Sequence, residues 1–285
     1  MIIVGVDGSV ASRAAVEWAA GDAARRRAPL RIVHAMDRTP YQIGRYPGTY
    51  PGTVLPDELV REGQRVLREA EALARERHPD VEVTAQDVEG APAVVLCEQA
   101  GDAAELVVGS RGLGGFAGAL LGSISTYVAG HAGCPVVVVR GEPREARGEV
   151  VVGVDDSPEC EPALAYAFEQ AKLRGGRLRA VHAWRSPVHA FAPEAVYDMD
   201  EVRAAQHQVV RDRVEALRKA YPEVEVAEDA PAAHPVDALT AASDQADLLV
   251  VGSHGRGALG SILLGSVSRG VLHHARCPVA VVRAQ

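Results

Sequence analysis

Two stretches of the chain concentrate residues suited to holding an anion through the main chain: 109–125 reads GSRGLGGFAGALLGSIS and 252–268 reads GSHGRGALGSILLGSVS. The spacing is the same in both. Gly109 is followed after two residues by Gly112 and after nine more by Gly122 and Ser123; Gly252, Gly255, Gly265 and Ser266 repeat the pattern. Glycine admits positive φ and lets a ligand approach the backbone closely, and successive amides in a tight turn form a concave anion site. Gly122-Ser123 and Gly265-Ser266 directly precede apolar helical runs, so their amides and hydroxyls are helix N-terminal donors without intrahelical acceptors. A polyphosphate suits this inventory, because few cations are on offer: Arg111 in one loop, His254 and Arg256 in the other. On this reading Gly109→Ala or Gly252→Ala sets a methyl group against the phosphates.

Acidic and imidazole groups stand at matching places. Asp7 and Asp155 each follow a valine-rich run, in VDGS and VDDS. Beside phosphates such a carboxylate either shares Mg²⁺ with them, bonds a ribose hydroxyl or amide, or caps the following helix, and these roles are compatible. His34 and His182 end matching VHA segments; catalysis would require an acid partner or nucleophile that the sequence does not name, so they read as packed strand-end histidines. Gly-Lys-Ser/Thr is missing, since the only lysines are Lys172 and Lys219, and the first strand leads into VDGS, not a G-x-G-x-x-G turn; neither a Walker loop nor a Rossmann fingerprint is present.

The elements that must position these groups are also written twice. IIVGVDGS at 2–9 matches VVVGVDDS at 150–157, and LRIVHA at 30–35 matches LRAVHA at 178–183. ELVVGSRG and CPVVVVR recur as LVVGSHG and CPVAVVR at a spacing five residues shorter, and the difference is assigned to the loop of 36–55 or its counterpart at 184–198. Unbroken Val, Ile and Leu runs predict strands buried on both faces, and the Ala/Arg/Glu stretches between them, such as Ser12–Arg27 and Pro56–Arg77, predict helices. The order is α/β: two tandem doubly wound domains of five parallel strands, over 1–141 and 149–285, with a charged linker at 142–148. In such sheets ligands bind beyond the carboxyl ends of the strands where strand order reverses, which is where Asp7, Gly109, Asp155 and Gly252 fall.

Composition narrows the class. The 285 residues carry a formal charge of −8 and are 47% hydrophobic, a balance for two cores and against a nucleic-acid or anionic-lipid surface. No apolar run is long enough for a membrane span, and cytoplasmic residence is the expectation. Cys134 and Cys277 recur before the last strands while Cys97 and Cys160 do not, and reduced thiols without metal-ligand spacing are expected.

Together, the Val-Asp after the first strand and the G-2x-G-9x-G-Ser after the fourth resemble the universal stress protein family in its tandem form. The resemblance implies strand order 3-2-1-4-5, ATP at the switch between strands 1 and 4, and pairing through the fifth strands, within the chain or in a homodimer. By position it implies a first site of Gly5, Asp7, Val33, Ala35, Gly109, Arg111, Gly112, Gly122, Ser123 and Ile124. The second is Gly153, Asp155, Val181, Ala183, Gly252, His254, Gly255, Gly265, Ser266 and Val267. Asp7 and Asp155 are the implied Mg²⁺ contacts. The implied function is an ATP-binding regulator of the stress response acting through an unidentified protein partner; the alternative is a slow Mg-dependent ATPase or nucleotidyl or phosphoryl transferase. Three departures bear on affinity: Asp156 replaces Gly8, His254 replaces Arg111, and Ala119 and Ile262 stand where some relatives carry arginine.

Overall fold

The computed structural model describes residues 1–37, 57–113, 121–140, 145–157, 160–185, 198–255 and 264–284. Most of the two long inter-strand loops, Arg256, Ala119, Ile262 and the first part of the expected linker lie outside these residues. The chain divides into two compact units, Met1–Glu142 and Pro143–Gln285.

In the first unit the order is β1 (Ile2–Val6), α1 (Val10–Arg26), β2 (Leu30–Met36), α2 (Asp57–Arg77), β3 (Val83–Glu89), α3 (Pro92–Gln99), β4 (Glu105–Gly109), α4 (Ser123–His131) and β5 (Val136–Val139). The second unit runs β6 (Glu149–Gly153), α5 (Cys160–Arg174), β7 (Arg177–Val181), α6 (Met199–Arg218), β8 (Val226–Asp229), α7 (Pro235–Ala242), β9 (Leu248–Gly252), α8 (Ser266–His274) and β10 (Val279–Val282). Within the first unit the strands lie side by side as β3-β2-β1-β4-β5, and within the second as β8-β7-β6-β9-β10. Every pairing inside a unit is parallel. This is the expected 3-2-1-4-5 order, twice, with each reversal between the first and fourth strands of the unit.

Hydrophobic burial accounts for the layers. β1, β5 and β10 are buried at every residue, as strands covered on both faces must be. α1 packs on β1 and β4 through small side chains: Ala15, Ala19 and Ala23 recur every fourth residue and are fully buried. The corresponding helix of the second unit, α5, presents Ala163, Ala167 and Ala171 with the same complete burial.

The outermost strands β3 and β8 carry the polar residues. Their register fixes how the units correspond: Leu30 pairs with Val83 and Leu178 with Val226. The closing turns of α2 and α6 repeat as well, with Val81 N donating to His78 O and Val224 N to Tyr221 O, both at 3.1 Å. From the end of α2 onward, therefore, equivalent residues lie 143 positions apart, and the five-residue difference falls earlier, between β2 and that helix.

Candidate functional site

Val6 delivers the chain to Asp7 at the carboxyl edge, and Gly8, at φ +83°, turns it into α1. Only glycine takes this backbone without strain, and a Cβ there would also stand 2.9 Å from Val66 Cγ2 of α2. Ser9 caps α1: its Oγ accepts from Ser12 N at 3.1 Å. Asp7 is thus not the cap. Its Oδ1 accepts from Ser9 N and its Oδ2 from Leu113 N, each at 3.0 Å. Ser9 Oγ adds a 3.3 Å bond to Arg111 O. The carboxylate ties the turn after β1 to the loop after β4, and a side chain on Gly112 would collide with its Oδ2. The second unit repeats the feature: a side chain on Gly255 would strike Asp155 Oδ2, while Asp155 Oδ1 accepts from Ser157 N at 3.1 Å and from Ser157 Oγ at 2.5 Å. Arg213 of α6 donates to the carbonyl of Asp156.

The glycine loop is pinched at its ends. Gly122 N donates to Ser110 O at 2.8 Å, as Gly265 N does to Ser253 O at 2.8 Å. The Gly122 and Gly265 amides are therefore engaged, which corrects the expectation that they are open donors. Ser125 Oγ donates to Gly109 O at 2.7 Å, and Ser268 Oγ to Ser253 O at 2.9 Å, seating each helix on the preceding strand. What remains for a ligand is the first turn of α4 and of α8, beginning at Ser123 and Ser266. Neither helix has a side-chain cap or an acidic residue in that turn, and Ser123 and Ser266 are exposed. Without a side-chain cap, and with the positive end of the helix dipole there, these first turns are suited to an anion. Ile124 is 38% exposed beside Ser123, and Val267 is half-buried.

Other candidates sit elsewhere than at the open edge. A Cβ on Gly109 would lie 2.6 Å from Ala11 C and 2.8 Å from Ser12 N, so this glycine lets α1 approach β4. The expectation that its methyl would meet phosphates gives way to a clash with the α1 backbone. A Cβ on Gly5 would meet Leu96 at 2.9 Å and one on Gly153 would meet Leu239 at 3.1 Å, and Val33 and Val181 are buried at 0% and 2% exposure. Gly5, Val33 and Val181 belong to the packed interior, while Gly153, Ala35 and Ala183 are half-buried at the edge. Gly252 closes β9 in the place of Gly109.

Arg111 is exposed in its loop, and His254 is half-buried, with Nδ1 3.1 Å from Ser253 Oγ. Arg140, directly after β5, was not among the sequence candidates. Burial, and secondarily the charge of Arg111, lowers its guanidinium pKa. The signal was available, since Arg283 follows β10 in the same way. His34 has an acid partner that the sequence did not name: its Nδ1 lies 2.9 Å from Asp87 Oδ1. Among the described residues no group of three or more His, Cys, Asp or Glu is arranged to hold a metal ion, and no helix is long and apolar enough to cross a membrane.

The comparisons with known proteins agree with this architecture. The universal stress protein family model matches residues 1–140 and again 147–283. Universal stress protein Rv2005c of Mycobacterium tuberculosis is 38% identical over 291 residues, covering 99% of this chain and 96% of its own. A universal stress protein of Mycolicibacterium smegmatis is 35% identical over 291 residues, with 99% and 96% coverage. The crystal structure of a universal stress protein from Archaeoglobus fulgidus superposes with a TM-score of 0.70 at 22% identity, covering 99% of this chain and 96% of that one. With its family model matched twice over nearly the whole length, this chain belongs to the universal stress protein family, as two copies of the domain in tandem.

Proposed function

We propose that each unit binds one ATP at its carboxyl edge, the triphosphate on the first turn of α4 or α8 and the nucleoside directed across the first strand of the unit, and that the chain is a nucleotide-binding regulator of the stress response. The observation that carries this reading is the uncapped, acid-free start of α4 and α8, each following a glycine loop that lies against a carboxylate, which in the first unit also bonds the loop. Main-chain amides need no lysine, which suits a chain of net charge −8. Mg²⁺ accompanying the phosphates would be held mainly by the phosphate oxygens and water. Both oxygens of Asp7 already accept main-chain N–H groups, so the carboxylate serves chiefly to hold the loop.

Mass spectrometry of the small molecules released from denatured, freshly purified protein tests this directly. Adenine nucleotide approaching two per chain is the expected result, and none, even after incubation with ATP, would remove the reading. The rival, a slow Mg-dependent ATPase or nucleotidyl or phosphoryl transferase, calls for ATP consumption by the same preparation that continues over many turnovers, at or below the low end of ordinary enzyme rates, about 1 s⁻¹.

A further inference from the structure

The two units treat their strand-end histidine differently. In the second, His182 is 4% exposed and both ring nitrogens are engaged, Nδ1 with Val154 O at 2.8 Å and Nε2 with Gln206 Oε1 at 3.0 Å. The carbonyl holds a proton on Nδ1, and the Gln206 amide takes up Nε2, so both ring nitrogens have partners within the unit. In the first unit the residue 143 positions before Gln206 is Gly63, and the one 143 before Ala230 is Asp87. Here His34 and Asp87 nest directly under the helix: a Cβ on Gly63 would be 3.1 Å from His34 Nδ1, His34 Cε1 and Asp87 Oδ2. Asp87 Oδ1 accepts from Nδ1 at 2.9 Å, and the two side chains keep 17% and 25% exposure. A carboxylate only accepts, so it holds a proton on Nδ1 and leaves Nε2 as the ring nitrogen away from the pair. Gly63 has no side chain to take up Nε2 as Gln206 does in the second unit.

The pair also stands beside the proposed site. His34 is in register with Val6, the residue before Asp7, and Gly8 abuts Val66, one turn along α2 from Gly63. The helix that seats the pair therefore also walls the Asp7 turn. Phosphates at α4 would direct a nucleoside across β1 toward β2, whose carboxyl-terminal half carries His34.

We propose that His34, positioned by Asp87, is a nucleoside-contacting residue of the first unit alone, so that the two sites of the chain are not equivalent. This rests on the nucleotide reading above. The test follows the His34 ring signal and the Gly112 amide by NMR in the full chain during titration with ATP and, separately, with inorganic tripolyphosphate, which has no nucleoside. ATP is expected to move both signals and tripolyphosphate only the amide. His34→Gln is expected to weaken ATP at the first site about fivefold, the worth of one hydrogen bond, and to leave tripolyphosphate affinity unchanged; Asp87→Asn is expected to shift the ring's tautomer signature and to weaken ATP likewise. If the Gly112 amide responds to ATP while the His34 ring does not, the inference fails and the nucleotide reading stands. If neither responds, both fail.

Discussion

At the scale of single residues, the duplication supplies an internal control for backbone choices. Arg27 closes α1 in the left-handed region at φ 50°, whereas the second unit has Gly175 at φ 60° in the same place. An L side chain pays for that conformation and glycine does not, so Arg27→Gly is expected to stabilise the first unit by about 1 kcal/mol, read from its urea midpoint. Asp7→Ala should release the loop, and faster hydrogen exchange at the Leu113 amide is the outcome to look for; unchanged exchange would show that the carboxylate does not brace it. The residue types of the site were legible because glycine, serine and aspartate at fixed spacing limit what a backbone can do. Their partners were not. Leu113 is 106 residues from Asp7 and Asp87 is 53 from His34, distances that only the strand order closes.

At the scale of elements, packing explains what the loop chemistry does not. Gly109→Ala drives a methyl into the α1 main chain, which cannot yield as a side-chain tip can. A loss of about 2 to 3 kcal/mol or more in first-unit stability is expected, irrespective of nucleotide. Beneath the site, Asp22 is fully buried with Arg26 Nε at 2.8 Å, and fully buried Glu105 lies 3.8 Å from Arg26. In the second unit the corresponding residues are Gln170, Arg174 and Leu248, and Arg174 Nε donates to Gln170 Oε1 at 3.1 Å. Removing one ion of such a cluster strands another charge, so Asp22→Ala should cost the first unit about 3 to 5 kcal/mol. Asp22→Gln combined with Glu105→Leu, which writes the second unit's solution into the first, should cost far less. Trp18 reports the first unit and Trp184 the second, which keeps the two transitions apart in fluorescence-monitored urea unfolding. Element order and strand order were readable from unbroken valine runs and alternating helices. The charged cluster was not, because Asp22 and Arg26 look like one turn of an exposed helix until Glu105 is brought under them.

At the scale of the whole molecule, the chain is two related units whose differences carry as much information as their likeness. Thiol chemistry should follow burial: desolvation raises the Cys134 pKa to about 12 and the Cys160 pKa to about 11. Because both are raised, the reactive thiolate is scarce below those values, about one part in ten thousand for Cys134 at pH 8. Neither should react with an alkylating reagent in the folded protein at that pH, and both should on unfolding; labelling of the native chain at Cys134 would contradict the packing described. The central claim is that main-chain N–H groups at two helix starts hold the phosphates. Ser123 and Ser266 are first residues of α4 and α8, and the preceding Gly122 and Gly265, at ψ 152° and 163°, have the extended backbone that proline requires before it. Ser123→Pro with Ser266→Pro therefore deletes two amides while respecting the helices. Calorimetric titration of this double variant with ATP, beside Ser123→Ala with Ser266→Ala, is the most direct measurement. A loss of about 10- to 100-fold for the proline pair at both sites, well beyond that of the alanine pair, is the expected result; wild-type affinity in the folded proline variant would contradict the claim.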